Sequence, residues 1–438
     1  MQLASLRRLP LPAIFASVLI ACGSGEGRAA ATNPGAGAGA SSGSASGSSG
    51  SSGSAANPEA GSGSDASPGS TGSPSSRGGS GSSGSSGPSS SGGSGLIASS
   101  GSSGSSGGAD SGDATTGAPG PCDIYRSGGT PCVAAHSTVR ALYGSYAGKL
   151  YEVRRASDSA TKDVEATIAG GVAAAATQDS FCAGTTCVIT IVYDQSGDGN
   201  DLAYQGAGGA GGEDTASSAA GESVTAGGDK VYSLYINPGN SYWRDGSASG
   251  IPTGSAPEGL YMVTSGTHVN GGCCFDYGNS ETNRKVGGNG AMDAINFSTS
   301  CWFKACSGSG PWVQADLEDG LYQGGGTALN PTNTGISSRF VTAMLKNNGT
   351  TAFALKGGNA ASGSLTTYYN GSLPSGFSPM HKQGAIVLGS GGDCCATNTN
   401  NTNQCEGTFY EGSLVTGYPS DATESAIQMN VVAARYGL

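Results

Sequence analysis

Charged side chains are scarce in this sequence. Only 12% of its 438 residues are charged, and 20 lysines and arginines stand against 31 aspartates and glutamates, which gives a formal net charge of -11. A nucleic-acid partner is therefore not expected, because binding to its backbone needs clustered cations that displace counterions. The 3 histidines lie far apart, without ligand spacing. We expect no catalytic metal and no other cofactor.

Aromatic residues are absent from the long stretch between residues 23 and 119, which is dominated by Gly, Ser, Ala, Pro and Thr. Such a composition cannot bury enough apolar area to offset the entropy of ordering the chain. We therefore predict a disordered Gly/Ser-rich linker over residues 23–119. As a flexible coil it would hold a following domain about 50–60 Å from its anchor point.

Long apolar runs are also lacking, apart from residues 11–21, which follow Arg7 and Arg8. This pattern is typical of an export signal. Residues 19–22, Leu-Ile-Ala-Cys, resemble a bacterial lipobox, so residues 1–22 are predicted to be a lipoprotein signal peptide with Cys22 acylated. The alternative is a plain signal peptide ending near Ala21. We expect an exported cell-surface or outer-membrane lipoprotein, or one released from the cell, which contacts the membrane only through this anchor.

The remaining segment, residues 120–438, carries all 3 tryptophans and all 17 tyrosines and is predicted to be one domain and a monomer. Its apolar segments are short and bounded by Gly, Asn and Asp, which favours an all-β antiparallel sandwich. Two helices are also expected, one over residues 137–143 and one at the C-terminus, where Asp421 and Glu424 would form a capping box. The predicted strands are 188–193, 231–236, 260–263, 340–345, 385–388 and 408–415.

The cysteines, 12 in all, indicate disulfides in an exported protein. Cys122 with Cys132, Cys182 with Cys187, and Cys301 with Cys306 are close enough to close small loops. Cys394, Cys395 and Cys405 leave one sulfur over, and their pairing stays open. The adjacent residues Cys273 and Cys274 either bond to each other, as a rare rigid apolar plate, or pair elsewhere; from the residues alone, pairing elsewhere is favoured.

Two acidic segments are candidates for chemistry. Hydrolysis of a glycosidic bond needs two carboxyl groups, one protonated and one ionised. In Ala315-Asp316-Leu317-Glu318 the alternation predicts that both acids share one strand face, where their repulsion separates their pKa values. A solvated edge strand is the commoner explanation of such a pattern.

The second acidic segment is Gly391-Gly392-Asp393, which follows the predicted strand 385–388. The glycines would let a substrate approach closely before a carboxyl group on a loop, as suits a proton donor. An Asx-type turn is the more frequent role of an isolated Gly-Asp pair.

Six motifs follow one another along the domain: PCDIY at 121–125, AAHSTVRALY at 134–143, QDSFCAGTTC at 178–187, YDQSG at 193–197, CCFDYGN at 273–279 and GTFYEG at 407–412. Together they resemble glycoside hydrolase family 54, the α-L-arabinofuranosidase B group, over essentially the whole stretch from Gly120 to Leu438. Their order along the chain makes the resemblance specific.

The resemblance implies a concanavalin- or jelly-roll-like β-sandwich that acts as a retaining, exo-acting glycosidase on terminal arabinofuranose of arabinoxylan, arabinan or their oligosaccharides. It assigns Glu318 as nucleophile and Asp393 as acid/base. It also implies that Asp316 holds sugar hydroxyls and that Cys273 and Cys274 bond to each other under the sugar. The remaining predicted sugar contacts are Trp302, as a stacking aromatic, Asp319 and Gly392.

Three departures from the family accompany this prediction. Asp319 stands where members carry asparagine, and its charge is expected to alter sugar contacts or raise the pKa of Glu318. The spacing around Trp302 is changed by Cys301 and Cys306. We also expect no arabinose-binding β-trefoil module after Leu438. The alternatives are a non-catalytic arabinose-binding surface lectin and a hydrolase that prefers xylosides.

Overall fold

The computed structural model describes residues 117–206, 213–392 and 403–438. The predicted signal peptide with Cys22 and nearly all of the predicted linker lie outside the described residues. The described helices are α1 (Pro121–Ser127), α2 (Ala175–Phe181) and α3 (Asp421–Ala433). The strands are β1 (Cys132–Ser137), β2 (Lys149–Arg155), β3 (Thr161–Glu165), β4 (Cys187–Val192), β5 (Leu202–Tyr204), β6 (Ser223–Ala226), β7 (Asp229–Tyr232), β8 (Leu234–Ile236), β9 (Tyr242–Asp245), β10 (Glu258–Ser265), β11 (Asp276–Ser280), β12 (Asp293–Ser298), β13 (Trp312–Asp316), β14 (Leu321–Tyr322), β15 (Phe340–Asn347), β16 (Ala352–Asn359), β17 (Thr366–Ser372), β18 (Ala385–Leu388) and β19 (Gly407–Thr416).

These strands form two large antiparallel sheets and a small hairpin of β6 and β7. The first sheet has the order β1-β19-β10-β15-β16-β17, with β8 also paired to β19. The second has the order β14-β13-β12-β11-β18-β9-β5-β4-β2-β3. Strands β10, β15 and β16 of the first sheet contact β12 and β13 of the second. The predicted all-β sandwich is confirmed.

The core lies between the two sheets, because alternate residues of each strand point inward. Tyr277 of β11 packs on Phe409 of β19 with ring centroids 4.9 Å apart, and both side chains are fully buried. Ile295 and Phe297 of β12 are also fully buried. The next residues along β11 and β12 therefore point to the opposite face of the second sheet, where the candidate site lies.

Helices α1 and α3 pack together beside the first sheet. Tyr125 of α1 lies against Tyr261 of β10, with ring centroids 6.1 Å apart. Glu424 of α3 pairs with Lys346 of β15 at 2.8 Å and with Lys356 of β16 at 2.6 Å, and all three side chains are buried. Because helices α1 and α3 cover the outer face of the first sheet, every residue of β10 and β15 is buried rather than every second one. None of the described helices is long and apolar enough to cross a membrane.

The predicted helix over residues 137–143 is wrong. Residue 137 ends β1, and the Ser137 hydroxyl accepts hydrogen bonds from the backbone N–H groups of Val139 and Arg140, which turns the chain. Arg140 then makes a two-pronged ion pair with Glu411 on β19, with N–O distances of 2.6 and 2.7 Å. This distant partner fixes a non-helical segment that the local sequence pattern does not reveal.

The predicted terminal helix is present, but its capping box is wrong. Ser420 is the N-cap, and its hydroxyl accepts a hydrogen bond from the backbone N–H of Thr423. Asp421 and Glu424 instead pair with the buried lysines of the first sheet. Helices α1 and α2 were not predicted from the sequence.

Four disulfides lie in the described residues. The structure joins Cys122 to Cys132, Cys182 to Cys187, Cys273 to Cys274, and Cys301 to Cys306. Cys405 is a buried thiol whose sulfur lies 3.1 Å from the carbonyl oxygen of Gly389, and burial raises its pKa. Cys394 and Cys395 lie outside the described residues.

Candidate active site

The site face of the second sheet carries a row of buried polar side chains. In the strand registers Asp276 lies opposite Asn296, and Asn296 lies opposite Gln314. The Asn296 amide donates to Asp276 Oδ1 at 2.6 Å, and the Gln314 amide donates to Asn296 Oδ1 at 3.2 Å. These residues alternate with the core-facing residues Tyr277 and Ile295. Strand periodicity therefore places Asp276, Asn296 and Gln314 on the sheet face opposite the apolar core, where they form a polar floor.

Asp316 and Glu318 lie at the edge of this floor. Strand β13 ends at Asp316, and Glu318 lies in the turn before β14, so the two acids do not share a strand face as the alternation predicts. Both are buried, with 7% and 5% of their surface exposed, which excludes a solvated edge strand. Asp316 Oδ1 accepts a hydrogen bond from the backbone N–H of Glu318 at 3.1 Å. Asp316 thus helps to hold the backbone of Glu318 in place.

The turn that carries Glu318 has an unusual backbone. Glu318, Asp319 and Gly320 have φ angles of 67°, 56° and 139°. Positive φ is uncommon for residues other than glycine, and such strain concentrates at functional sites. A Cβ at residue 320 would lie 2.6 Å from Cζ of Phe303, so only glycine fits there. The sequence Glu-Asp-Gly holds the Glu318 carboxyl at the end of β13.

The bonded pair Cys273–Cys274 adjoins Asp316 and Asp276. The sulfur of Cys274 and carboxylate oxygens of Asp276 and Asp316 all lie within 4.8 Å of one another, and all three residues are buried. Because that sulfur is committed to the disulfide, it offers no thiolate to a metal ion. The plate therefore forms an apolar wall beside two carboxylates, an arrangement suited to the apolar face and hydroxyls of a sugar.

Glu281 is a third carboxyl group at the site, and the sequence did not single it out. It directly follows β11 and is fully buried. Burial raises the pKa of Glu281, and hydrogen bonds with Glu318, Ser280 and Gly287 counteract part of this rise. The only sequence signal is an acid closely following the CCFDYGN segment.

Asp393, the predicted acid/base, lies outside the described residues, but its neighbour Gly392 is described. The chain turns back over β11 after β18, so that a Cβ at Gly392 would lie 2.1 Å from Ser280 Oγ and 3.6 Å from Glu281 Oε2. The carbonyl oxygen of Gly392 accepts a hydrogen bond from the Gln205 amide at 3.2 Å. The segment leading to Asp393 therefore lies against the carboxyl group that contacts Glu318.

Trp302 and Asp319 lie nearer the solvent. Trp302 is 41% exposed and, with its neighbour Phe303, lines a small cavity together with Leu321. Phe303 is the ring that covers Gly320. Asp319 is exposed, unlike Asp316 and Glu318. Burial is the largest cause of the raised pKa of Tyr322, and the negative charges of Asp319 and Asp316 raise this pKa further. The electrostatic potential at the site is therefore negative.

Residues 121–437 match the family model of the catalytic domain of α-L-arabinofuranosidase B. The chain belongs to this family. Its match extends from the first turn of α1 to the residue before the last one, so it includes both sheets and every described site residue. The resemblance stated from the sequence motifs is confirmed.

Curated relatives and solved structures agree with the family. A probable α-L-arabinofuranosidase B of Aspergillus terreus is 55% identical over 334 residues, which cover 75% of this chain and 64% of the relative. An arabinofuranosidase/β-xylosidase of Trichoderma koningii is 54% identical over 328 residues, which cover 73% of this chain and 64% of the relative. A crystal structure of an arabinofuranosidase complexed with arabinofuranosyl-α-1,2-xylobiose superposes with a TM-score of 0.69 at 48% identity, covering 73% of this chain and 66% of that one. The chain thus spans about two thirds of its relatives' length.

Proposed function

We propose that this protein is a retaining, exo-acting α-L-arabinofuranosidase, a glycoside hydrolase that removes terminal non-reducing arabinofuranosyl residues from arabinoxylan, arabinan or their oligosaccharides. The observation that carries the proposal is the position of Glu318: a buried carboxyl group on a strained turn, whose backbone is held by Asp316, the acid that adjoins the Cys273–Cys274 wall. The activities by which its relatives are named support the proposal.

In this mechanism Glu318 attacks the anomeric carbon while Asp393 donates a proton to the leaving oxygen. A covalent arabinosyl-enzyme forms, and Asp393 then takes a proton from the water that hydrolyses it. Retention requires the two carboxyl groups about 5–5.5 Å apart. The contact of Gly392 with Ser280 and Glu281 supports this approach, because it brings the chain next to Asp393 close to the partner of Glu318.

Sugar binding is assigned to the residues around these acids. Asp316 would accept hydrogen bonds from ring hydroxyls, and Cys273 with Cys274 would pack under the furanose. Trp302, 41% exposed, has free ring surface for a sugar to stack on. Asp319 and Gly392 complete the proposed contacts at the rim. The substrate is proposed to include α-1,2-linked arabinofuranose on xylose, because a similar enzyme was crystallised with that compound.

Two alternative functions, a hydrolase that accepts xylosides and a non-catalytic lectin, can be distinguished from the proposed one by a single set of assays. A relative named arabinofuranosidase/β-xylosidase supports a hydrolase that also accepts xylosides. A surface lectin would keep the pocket without turnover. We expect release of nitrophenol from 4-nitrophenyl α-L-arabinofuranoside to exceed that from the matching β-D-xyloside. Arabinose binding without release would indicate the lectin, and faster xyloside cleavage would indicate the xylosidase.

For location we propose that the protein is exported as a monomer and held at a bacterial cell surface by acylation of Cys22. The four disulfides of the described residues fit an oxidising compartment. Residues 19–22 supply the lipobox resemblance. Mass spectrometry of the mature N-terminus in a lipoprotein-processing host tests the anchor: an acylated Cys22 supports it, and an unmodified N-terminus contradicts it.

A further inference from the structure

The side chain of Asn270 joins residues 270–274, which we call the wall loop because it carries the disulfide, to the segment that enters β19. Asn270 Oδ1 accepts hydrogen bonds from the backbone N–H of Gly272 at 2.9 Å and from that of Glu406 at 3.0 Å. Its amide nitrogen donates to the carbonyl oxygen of Gln404 at 3.0 Å. One half-buried side chain therefore makes three hydrogen bonds to the backbone of two separate segments.

The amide of Asn270 has one orientation that satisfies all three hydrogen bonds. If its oxygen and nitrogen exchanged places, the NH2 group would face the N–H groups of Gly272 and Glu406. The oxygen would then face the carbonyl oxygen of Gln404. Asparagine supplies the acceptor and the donor that this position needs, whereas an ionised aspartate supplies only acceptors and alanine supplies neither.

The backbone of the wall loop also packs closely between its neighbours. The backbone N–H of Thr299 donates to the carbonyl oxygen of Asn270 at 3.0 Å, and that of Gln404 donates to the carbonyl oxygen of Cys273 at 3.4 Å. A Cβ at Gly272 would lie 2.1 Å from the carbonyl oxygen of Gln404, so only glycine fits there. The wall loop thus lies between the segment that follows β12 and the segment that enters β19.

The disulfide constrains the wall itself but does not attach it to the rest of the domain. Its two cysteines are neighbours in sequence, so their bond closes a ring within the wall loop and makes no link to either sheet. Gly271 and Gly272 precede the cysteines, and glycine has the largest freedom of backbone rotation. The hydrogen bonds of Asn270 supply a link to the fold that the disulfide lacks.

We propose that Asn270 is a positioning residue that holds the Cys273–Cys274 wall in place under the sugar. The inference rests on the proposed function, in which this wall packs against the furanose. Cys274 is buried and Cys273 is half-buried, so the wall is backed by the fold and keeps some exposed surface. Asn270 acts through the backbone of Gly272 and is assigned no contact with the reacting atoms.

This role predicts an effect on KM rather than on kcat. The wall would contact the sugar in the same way before and during the reaction, because it touches the ring face and not the bond that breaks. Losing an interaction that is equally strong in both states weakens substrate binding and leaves the chemical step unchanged. A displaced wall loop should therefore raise KM.

The first test measures KM and kcat of two Asn270 variants on 4-nitrophenyl α-L-arabinofuranoside. Asn270→Ala removes all three hydrogen bonds, and we expect KM to rise about fivefold with kcat within about twofold of wild type. Asn270→Asp keeps the acceptor for the N–H groups of Gly272 and Glu406, so we expect KM to rise by at most about twofold. Equal increases of KM in the two variants, an unchanged KM in the alanine variant, or a fall in kcat alone would overturn the proposal.

Asn348→Ala is the matched control for a loss of stability. Asn348 is half-buried like Asn270, and its Oδ1 accepts hydrogen bonds from the backbone N–H groups of Thr350, Thr351 and Ala352 between β15 and β16. Both alanine changes should lower the thermal midpoint, because each removes hydrogen bonds that hold a loop. Only Asn270→Ala should raise KM, and an equal rise in the control would overturn the proposal.

The second test asks whether Asn270 acts through the wall, and it uses Asn270→Gln if the alanine variant does not fold. Glutamine carries the same amide one methylene further out, so it cannot make all three hydrogen bonds unless the wall loop moves. The chosen change is combined with Cys273→Ala and Cys274→Ala. We expect the triple variant to have a KM within about twofold of the double cysteine variant, because coupled residues are not additive. A further rise as large as that of the Asn270 change alone would overturn the inference.

Failure of the proposed function has a different result. Wild-type protein that releases no nitrophenol would reject the hydrolase. Calorimetric titration with arabinose would then still test the inference, since Asn270→Ala should bind more weakly than Asn348→Ala, and equal affinities would overturn it.

Discussion

The sulfur of Cys274 and a carboxylate oxygen of Asp316 lie within 4.8 Å of each other. These atoms come from segments on different sides of β12, one before the start of β11 and one at the end of β13. An apolar plate therefore adjoins a buried acid. This contact links the two sequence motifs that the family resemblance assigns to sugar binding.

Replacing both Cys273 and Cys274 by alanine should weaken substrate binding, because the sugar loses its apolar wall. We expect KM to rise about tenfold, which corresponds to about 1.4 kcal/mol of binding free energy. Initial rates on 4-nitrophenyl α-L-arabinofuranoside measure it. The control replaces Cys182 and Cys187, which lie away from the site face: that variant should lower the thermal midpoint but keep KM. A similar KM in both double variants would contradict the proposed wall.

Glu318→Gln should abolish nearly all turnover while the domain stays folded, because the amide cannot form the covalent intermediate. We expect kcat to fall by roughly 10³–10⁵-fold. Circular dichroism and the thermal midpoint report folding, and Glu165→Gln, a change of the same kind on the exposed surface of β3, provides the comparison. A Glu318→Gln rate near that of wild type would reject the assignment.

Asp319→Asn should raise activity modestly. Removing a negative charge next to Glu318 favours the ionised nucleophile, and asparagine tolerates the positive φ of 56° at this position. Because Asp319 is exposed, water and salt screen its charge. We expect kcat/KM to rise by about two- to fivefold at low salt, since an interaction of two charges 4 Å apart in water is worth about 1 kcal/mol. A loss of activity would instead show that the proposed sugar contact of Asp319 needs its negative charge.

Glu411→Gln should destabilise the fold without acting on the site. The change leaves Arg140 buried beside a neutral group, and losing one partner of a buried pair costs about 3–5 kcal/mol of the free energy of unfolding. Urea denaturation measures this. Asp158→Asn breaks the pair with Arg155, whose side chains are 33% and 48% exposed, and should cost at most about 1 kcal/mol. Equal effects of the two variants would contradict the structural role assigned to Arg140.

The sequence predicted strands well where an apolar run is isolated by glycines. Strand β18 has the predicted bounds, 385–388, because Gly384 and Gly389 adopt positive φ at both ends. The prediction failed where a distant partner decides the conformation. The segment after Ser137 has helical composition, yet it is not helical, and Arg140 pairs with Glu411, 271 residues away in sequence.

The candidate site was likewise only partly predictable from the sequence. Asp316 and Glu318 could be selected from the sequence because they alternate beside a tryptophan, and the family resemblance gave them their roles. Their burial could not, since it depends on β12 and β14 pairing on either side of β13. Glu281 was missed because it stands alone among polar residues, and only the fold brings it to Glu318. A single acidic residue cannot be recognised as part of a site until the fold shows which residues lie beside it.

Trapping the arabinosyl-enzyme tests the central claim most directly. The Asp393→Ala variant should form this intermediate from a dinitrophenyl arabinofuranoside and hydrolyse it slowly, because the base for the second step is missing. Acid quenching, protease digestion and mass spectrometry then locate the sugar. We predict one arabinofuranosyl unit attached to the peptide that contains Glu318, and fragmentation should place it on that residue. A sugar attached to any other residue, or no adduct while the sugar is released with inverted configuration, would contradict the account.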